Sequence, residues 1–297
     1  KKIKGRIELM FDVSVIIPNL NSIIIDKVVN SVLDQSTELT YEIIVVGQDS
    51  SKLIPENSKV KKIITQDITP PGIARNMGVE ISNGKLIVFL DADCIAMPDL
   101  LDTHWKAHFS ENIQNSSRLV CGSVMFPRRG YLKLCDNVAT FHAYMPHLTE
   151  GSRRVLPTLN FSIEKTDWND LGGFDETYPF AAGEDADFVD RAKKSGMQAI
   201  FTPWPKVLHQ HDRKDLKSLL IHAWRFGRYT TLFRGFRDKV GVLFFRLFFL
   251  LCSPIVAAVI VGKILIKSRL PVRYWHTLPV VYLAKLAWCI GVASRTH

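Results

Sequence analysis

Residues 85–93 read Lys-Leu-Ile-Val-Phe-Leu-Asp-Ala-Asp, an apolar run that passes directly into two carboxylates, Asp91 and Asp93. An uninterrupted apolar run bounded by a turn predicts a strand buried on both faces, as in a parallel sheet covered by helices. In open α/β sheets ligands bind beyond the carboxyl ends of the strands, so two acids at such an end predict a polar cleft. Two carboxylates two residues apart, past the point where strict alternation ends, can approach one hard divalent cation. Mg2+ or Mn2+ held this way completes its shell with substrate phosphates, which implies a phosphorylated donor.

Upstream lie two further β-branched runs, Val13-Ser-Val-Ile-Ile17, stopped by Pro18 and Asn19, and Glu42-Ile-Ile-Val-Val46, stopped by Gly47, Asp49 and Ser50. Between them Ile25, Val28, Val29, Val32 and Leu33 recur at helical spacing, so the first 46 residues predict one βαβ unit with parallel pairing. A strand at 60–64 and a helix at 72–82 precede the apolar run. Beyond it the pattern predicts a helix near 98–110, a strand at 119–125 and a polar, aromatic-rich stretch to about 165. A loop at 172–176, a helix at 184–195 and two short strands at 199–201 and 207–208, around Pro203 and Pro205, follow.

Other chemistry-bearing residues fall at element ends. Glu184, Asp185 and Asp187 follow Gly183 at a helix start, where acids either complement the helix dipole or supply a general base for a hydroxyl. His209 and His211 end the last strand; alternation is expected to put them on opposite sides, and His209 is chosen to complete a metal shell begun by Asp91 and Asp93. His104 and His108 are read as surface or packing residues.

The 297 residues are 47% apolar and 23% charged, enough for a substantial core and incompatible with a disordered chain. Charge is uneven: residues 213–297 hold 15 Lys and Arg against two acids, whereas residues 1–212 hold 23 against 27. In the tail the cations are interleaved with long aliphatic and Phe runs, which points to an anionic membrane surface and away from nucleic acid. The five cysteines form no CxxC pair, so free thiols in a reducing compartment are expected. The opening Lys-Lys-Ile-Lys-Gly-Arg-Ile-Glu-Leu-Met lacks an apolar core, and no secretory signal is expected there.

Two tail segments are strongly apolar, 247–262 with Pro254 in its middle and 278–292 interrupted by Lys285. Both fall short of the roughly 20 residues of a comfortable transmembrane helix. If both spanned, the loop carrying Lys263, Lys267, Arg269 and Arg273 would lie across the membrane from the body, which the positive-inside rule opposes. Interfacial helices, or a re-entrant hairpin broken at Pro254, are expected, with a buried core pair as the alternative.

In order and spacing, Val13 to Asn21, Ala74-Arg75-Asn76, Phe89 to Asp93, Gly172 to Glu176, Gly183-Glu184-Asp185 and Val207-Leu208-His209 resemble the family 2 glycosyltransferases of GT-A fold, over roughly residues 12–230. The resemblance implies an α/β, Rossmann-like catalytic domain with a mostly parallel sheet over 12–212; the basic, apolar composition of 213–297 predicts that a helical, membrane-associated region follows it. The resemblance also implies a nucleotide-diphosphate sugar donor. Pro18 and Asn21 would line the base and ribose site, Arg75 would lie near the diphosphate, Asp91 would face ribose or metal, and Asp93 would be the main ligand of Mn2+ or Mg2+. Asp185 would be the general base of an inverting displacement, with Glu184 positioning the acceptor. Asn160-Phe161-Ser162, ahead of the Gly172-Gly173 loop, matches a part of the family that shapes the sugar and acceptor pocket. Trp168 and Trp204 could stack on a sugar ring, and the core reading is preferred for both.

Two departures stand out. Where the family usually carries Val-Asp-Asp-Gly-Ser, this chain has Val46-Gly47-Gln48-Asp49-Ser50. Gln48 can still bond a base edge and Asp49 can supply an acid, which leaves UDP- and GDP-sugars both open. Leu20 replaces a frequent aromatic residue. The reading is a transferase acting at the cytoplasmic face of a membrane on a lipid-linked or cell-surface glycan. Arg225, Arg228, Arg234, Arg237 and Lys239 form a basic approach to the apolar tail that would keep the cleft near a lipid carrier. The rivals are a non-catalytic nucleotide-sugar-binding scaffold and a sugar-phosphate nucleotidyltransferase, the latter disfavoured because Pro18 to Asn21 contains no glycine to cradle a triphosphate.

Overall fold

The computed structural model describes residues 10–111, 117–180, 182–230 and 234–294; the expectation about the N-terminal stretch and the Arg234 side chain lie outside what is described. The chain divides into two compact units, one of residues 1–123 and 149–207, the other of residues 124–148 and 208–297.

The first unit is built on β1 (Phe11–Leu20), whose Val13, Val15, Ile16 and Ile17 are wholly buried. It pairs in parallel with β2 (Tyr41–Gln48) on one side and β4 (Gly84–Leu90) on the other, so that Ile16 faces both Ile44 and Phe89. β3 (Val60–Ile64) extends the parallel set beyond β2. Helix α1 (Ile25–Leu33) buries Ile25, Val28, Val29 and Val32, the predicted stripe, and α2 (Pro71–Glu80) starts with Pro71, which needs no helical donor at that position.

The chain runs outward from β1 to β2 and β3 and then returns to place β4 on the opposite side of β1. Strand order therefore reverses at β1/β4, and such a switch point opens a crevice beyond the strand ends. Asn19, Asn21 and Asp91 sit there.

Past β4 the sheet turns antiparallel. β8 (Asn160–Glu164) pairs with β4, Asn160 opposite Leu90, and β6 (Arg118–Met125) pairs with β8; β9 (Gln198–His209) and the short β5 (Cys94–Ala96) complete the order, with β7 (Gly151–Ser152) on β9. Helices α3 (Leu100–Phe109), α5 (Lys165–Leu171) and α6 (Glu184–Lys194) belong to the same unit. An aromatic cluster closes its core, with Phe89–Trp168, Trp168–Phe174 and Phe174–Phe188 centroids 5.2, 5.1 and 4.8 Å apart.

Three expectations need correction. The two short strands around Pro203 and Pro205 are one continuous β9: the Ser123 hydroxyl bonds the Pro203 carbonyl (2.8 Å) and the Asn160 amide bonds the Pro205 carbonyl (3.0 Å), so side chains bond the strand where proline has no donor. The aromatic-rich stretch contains α4 (Tyr131–Phe141), whose buried face carries Asp136 and Asn137 and so hid the helical period. Trp168 is core as expected, but Trp204 is 62% exposed.

The second unit holds α4 together with α7 (Leu216–Tyr229), α8 (Arg234–Val240), α9 (Val242–Leu251), α10 (Ser253–Lys267) and α11 (Leu278–Ala293). Its polar hub is the buried Asp136, bound by His222 Nδ1 (2.9 Å), Arg213 Nε (2.8 Å) and His211 Nε2 (3.2 Å). The Asp136 carboxyl is held below the usual range: burial opposes the charge, and these partners outweigh burial. With the 3-10 turn Val272–Thr277 ahead of it, α11 forms a 22-residue run long and apolar enough by composition to cross a membrane, longer than the sequence segment suggested.

Helices α7 and α11 cross at glycine. A Cβ at Gly227 would stand 2.0 Å from the Trp288 carbonyl oxygen, and one at Gly291 would stand 2.1 Å from that of Trp224. Both obstacles are backbone, so Gly291→Ala forces the helices apart and is expected to cost about 1–3 kcal/mol, read as a lower urea midpoint; an unchanged midpoint would contradict this packing.

Candidate active site

The site is assembled at the reversal of strand order. Asp91 and Asp93 occupy the turn between β4 and β5, closed by the Cys94 amide on the Asp91 carbonyl (3.0 Å), and both are half-buried. Arg75, only 2% exposed on α2, reaches Asp91 Oδ1 with Nη2 (2.7 Å) and Glu184 Oε1 with Nη1 (3.1 Å). Its guanidinium also lies 5.6 Å from the Phe174 ring centre. One cation thus ties the acidic turn after β4 to the start of α6, with Arg75 and Glu184 themselves 109 positions apart in the chain.

The α6 start is shaped by Gly183, whose φ of 101° is a left-handed conformation that disfavours other residues. Glu184 turns inward onto Arg75 and is almost fully buried. Asp185 is half-buried, and its Oδ1 accepts the Ala186 amide at 2.7 Å. Asp187 instead pairs with Arg191 (2.9 Å), which also bonds the carbonyls of Leu171 and Gly173.

These placements set the charges. Burial lowers the Arg75 pKa, but Asp91 and Glu184 outweigh it and the guanidinium is held charged. Burial raises the Glu184 pKa against the pull of Arg75. Asp185 is raised to about 7, first by burial and then by the neighbouring Glu184 charge. A carboxylate that titrates near neutrality suits proton abstraction from a hydroxyl at physiological pH.

The ends of β1 and β2 form a second polar cluster. Asn19 donates to the Gln48 carbonyl (2.7 Å) and its Oδ1 accepts the Ser22 amide (3.0 Å). Asn21, at φ 54°, accepts the Ser50 amide (2.7 Å) and donates to Gln48 Oε1 (3.2 Å), while Gln48 Nε2 donates to the Gln66 carbonyl (3.0 Å). Asp49 closes its own loop, its two oxygens accepting the amides of Leu53 and Ile54 (2.9 and 3.1 Å). Pro18 lies within β1 opposite Val46, and Leu20 is exposed. Gly47 explains the departure from the acidic pair: at φ 129°, a Cβ would sit 2.0 Å from the Asn19 carbonyl oxygen, so the strands approach too closely for a side chain.

Asn160 and Gly173 support this region. Asn160 is wholly buried, donating to the carbonyls of Ser123 (3.2 Å) and Pro205 (3.0 Å), with its Oδ1 2.8 Å from His104 Nε2. His104 Nδ1 and His108 Nε2 both meet the Ser162 hydroxyl, at 2.8 and 2.9 Å. These histidines are therefore interior packing residues, their pKa values lowered by burial to about 4 and about 3. Gly173, at φ 77°, leaves room for Asn76, whose Oδ1 accepts the Phe174 amide (2.9 Å) and whose Nδ2 donates to the Phe174 carbonyl (3.0 Å). An open depression of about 400 Å³ is lined by Asn76, Lys165, Trp168, Gly172 and Gly173.

His209 belongs to the second unit, where its Nδ1 meets Asn137 Oδ1 at 2.7 Å and its ring meets the Phe141 edge at 5.0 Å. The expectation that His209 and His211 point to opposite sides is incorrect: their ring centres lie 5.2 Å apart, because residues two apart in an extended chain share a face. Sequence reasoning did not find Asn137 or Asp136, since polar residues on a helix announce burial only through partners elsewhere in the chain.

Residues 14–129 match the family described as glycosyl transferase family 2. Glycosyltransferase AglE of Haloferax volcanii is 26% identical over 226 residues, covering 73% of this chain and 72% of that protein. Validoxylamine A glucosyltransferase of Streptomyces hygroscopicus subsp. jinggangensis is 24% identical over 257 residues, 72% of this chain and 60% of that one. Among solved structures, mannosyltransferase PcManGT from Pyrobaculum calidifontis in complex with GDP-Man and Mn2+ superposes with a TM-score of 0.51 at 17% identity, over 74% of this chain and 63% of that one. The structural likeness establishes a shared fold, and the sequence matches support a glycosyltransferase.

Proposed function

We propose that the chain is an inverting, metal-dependent glycosyltransferase. It moves a sugar from a UDP- or GDP-linked donor to a hydroxyl of a lipid-linked or cell-surface glycan, at the cytoplasmic face of a membrane. One observation carries the reading: Arg75 bridges Asp91 and Glu184, so the acidic turn after β4 and the base-bearing start of α6 belong to one site. The match of residues 14–129 to family 2 supports it.

The donor set suits a hard cation, since Asp91 and Asp93 offer carboxylate oxygens at a half-exposed turn. The Mn2+ in the Pyrobaculum mannosyltransferase structure supports the same assignment. By motif order His209 is the third ligand, its ring oriented by the Nδ1 contact with Asn137. When bound, the cation supplies positive charge that stabilises a departing diphosphate.

The protein's own part of the reaction falls to Asp185. Its carboxylate takes the proton of the acceptor hydroxyl as that oxygen forms a bond to the anomeric carbon; the bond from that carbon to the diphosphate breaks, and the nucleoside diphosphate leaves with the electron pair. Glu184, buried on Arg75, acts by setting the charge around Asp185 rather than by touching the acceptor. Asn21 and Gln48 line the base and ribose end through the cluster they share.

The test is a screen of UDP- and GDP-sugars for Mn2+-dependent thermal stabilisation, because a ligand that binds only the folded state raises the melting temperature with its affinity. One nucleotide class is expected to stabilise the protein with Mn2+ and not in EDTA, with the gain lost in Asp93→Ala. Stabilisation by no nucleotide sugar overturns the reading, and stabilisation with neither transfer nor hydrolysis favours a binding scaffold.

A further inference from the structure

The geometry points to an anionic phospholipid bilayer as the partner of the exposed apolar face of α9 and α10, which dock on its surface within one leaflet. This deepens the membrane partner named above, and vesicle binding measures it separately from the chemistry. On α9 the exposed residues are Leu243, Phe244, Leu247, Leu250 and Leu251, while Phe245 and Phe249 on the other side are buried against Cys289, Val292 and Ala293. The exposed spacing of three and four residues is a single helical stripe. On α10, Ile255, Val259 and Ile266 repeat the pattern, opposite the buried Ala257 and Ile264.

These side chains are conspicuous by degree. Leu251 is 77% exposed and Ile266 79% exposed, and soluble proteins rarely leave such large apolar residues contiguous on a surface without a partner. The two helices meet at a 70° bend around Cys252, with Pro254 in the first turn of α10, so neither forms a straight span. A bent, one-sided pair suits the interface, where apolar side chains enter the acyl boundary and the opposite face stays packed on protein.

Charge selects the occupant. After Asp238 the chain holds no Asp or Glu, while the exposed Lys263, Lys267, Arg269 and Arg273 lie on and just beyond α10. Two copies of this surface would bring cations against cations, whereas an anionic leaflet neutralises them at headgroup depth. Val272 and Trp275, just beyond α10, are exposed as well, and an indole belongs at headgroup depth.

Full-length protein floated with phosphatidylglycerol-containing vesicles is expected to bind on the order of tenfold or more tightly than with pure phosphatidylcholine vesicles, and 0.5 M salt is expected to erode the difference. Leu247→Asp/Leu251→Asp is expected to abolish flotation with an unchanged melting temperature, since both side chains are exposed. Replacing Lys263, Lys267, Arg269 and Arg273 by Gln is expected to remove the preference for anionic lipid. Equal binding to both vesicle types, or flotation that survives the Asp pair, overturns the proposal. So does a lipid-free dimer in sedimentation analysis that the same Asp pair dissociates, which would assign the face to a second copy.

Discussion

Asp185→Asn is expected to lower glycosyl transfer by about 100- to 10,000-fold, the usual contribution of a positioned general base, while Mn2+-dependent donor stabilisation persists. The substitution keeps the size of the side chain and the acceptor for the Ala186 amide, so loss of turnover without loss of binding isolates proton abstraction. The pH profile sharpens the test. A base works only when unprotonated, so turnover of the native protein should rise through about pH 7 and level off above it. Burial raises this pKa and the Glu184 charge adds to it; Glu184→Gln removes the second cause and should move the rise to lower pH. A rise in the ordinary carboxylate range, near pH 4, would contradict the raised pKa of Asp185, and full turnover in Asp185→Asn would show that it is not the base.

The second large effect is expected at Arg75. Arg75→Met leaves Asp91 and Glu184 without their shared cation, and removing one partner of a buried ion pair typically costs about 3–5 kcal/mol. The expected results are a markedly lower melting temperature and, in the fraction that folds, a pH profile moved upward, because Arg75 now lowers the Asp185 pKa. Arg75→Lys should recover only part of either property: a single ammonium cannot reproduce the fork that meets two acids through separate nitrogens. Full stability in Arg75→Met would remove the bridge from the account of the site.

Much of the architecture was legible because its signals are local. The β-branched runs of β1, β2 and β4, the stripe of α1 and the glycines at 172, 173 and 183 each declare themselves within a few residues. The acids at 91, 93, 184 and 185 were recognisable for the same reason, since each stands at an element end. What escaped the reading depended on partners. Helix α4 was missed because Asp136 and Asn137 occupy its inner side, where their burial is matched by His222, Arg213 and His209, more than 70 residues away. The prolines of β9 suggested a broken strand until side chains of Ser123 and Asn160 were seen to bond its carbonyls.

The amino-acid order alone determined the parallel half-sheet, the acidic turn that ends β4 and the acidic helix start at 184, because hydrophobic period and turn chemistry act over a few residues. Only the folded chain decided that Arg75 is a buried bridge rather than an exposed cation, that Glu184 faces inward and that Asp185 titrates near 7. Desolvation and charge proximity belong to the neighbourhood of a group, and folding brings that neighbourhood together from segments about a hundred residues apart.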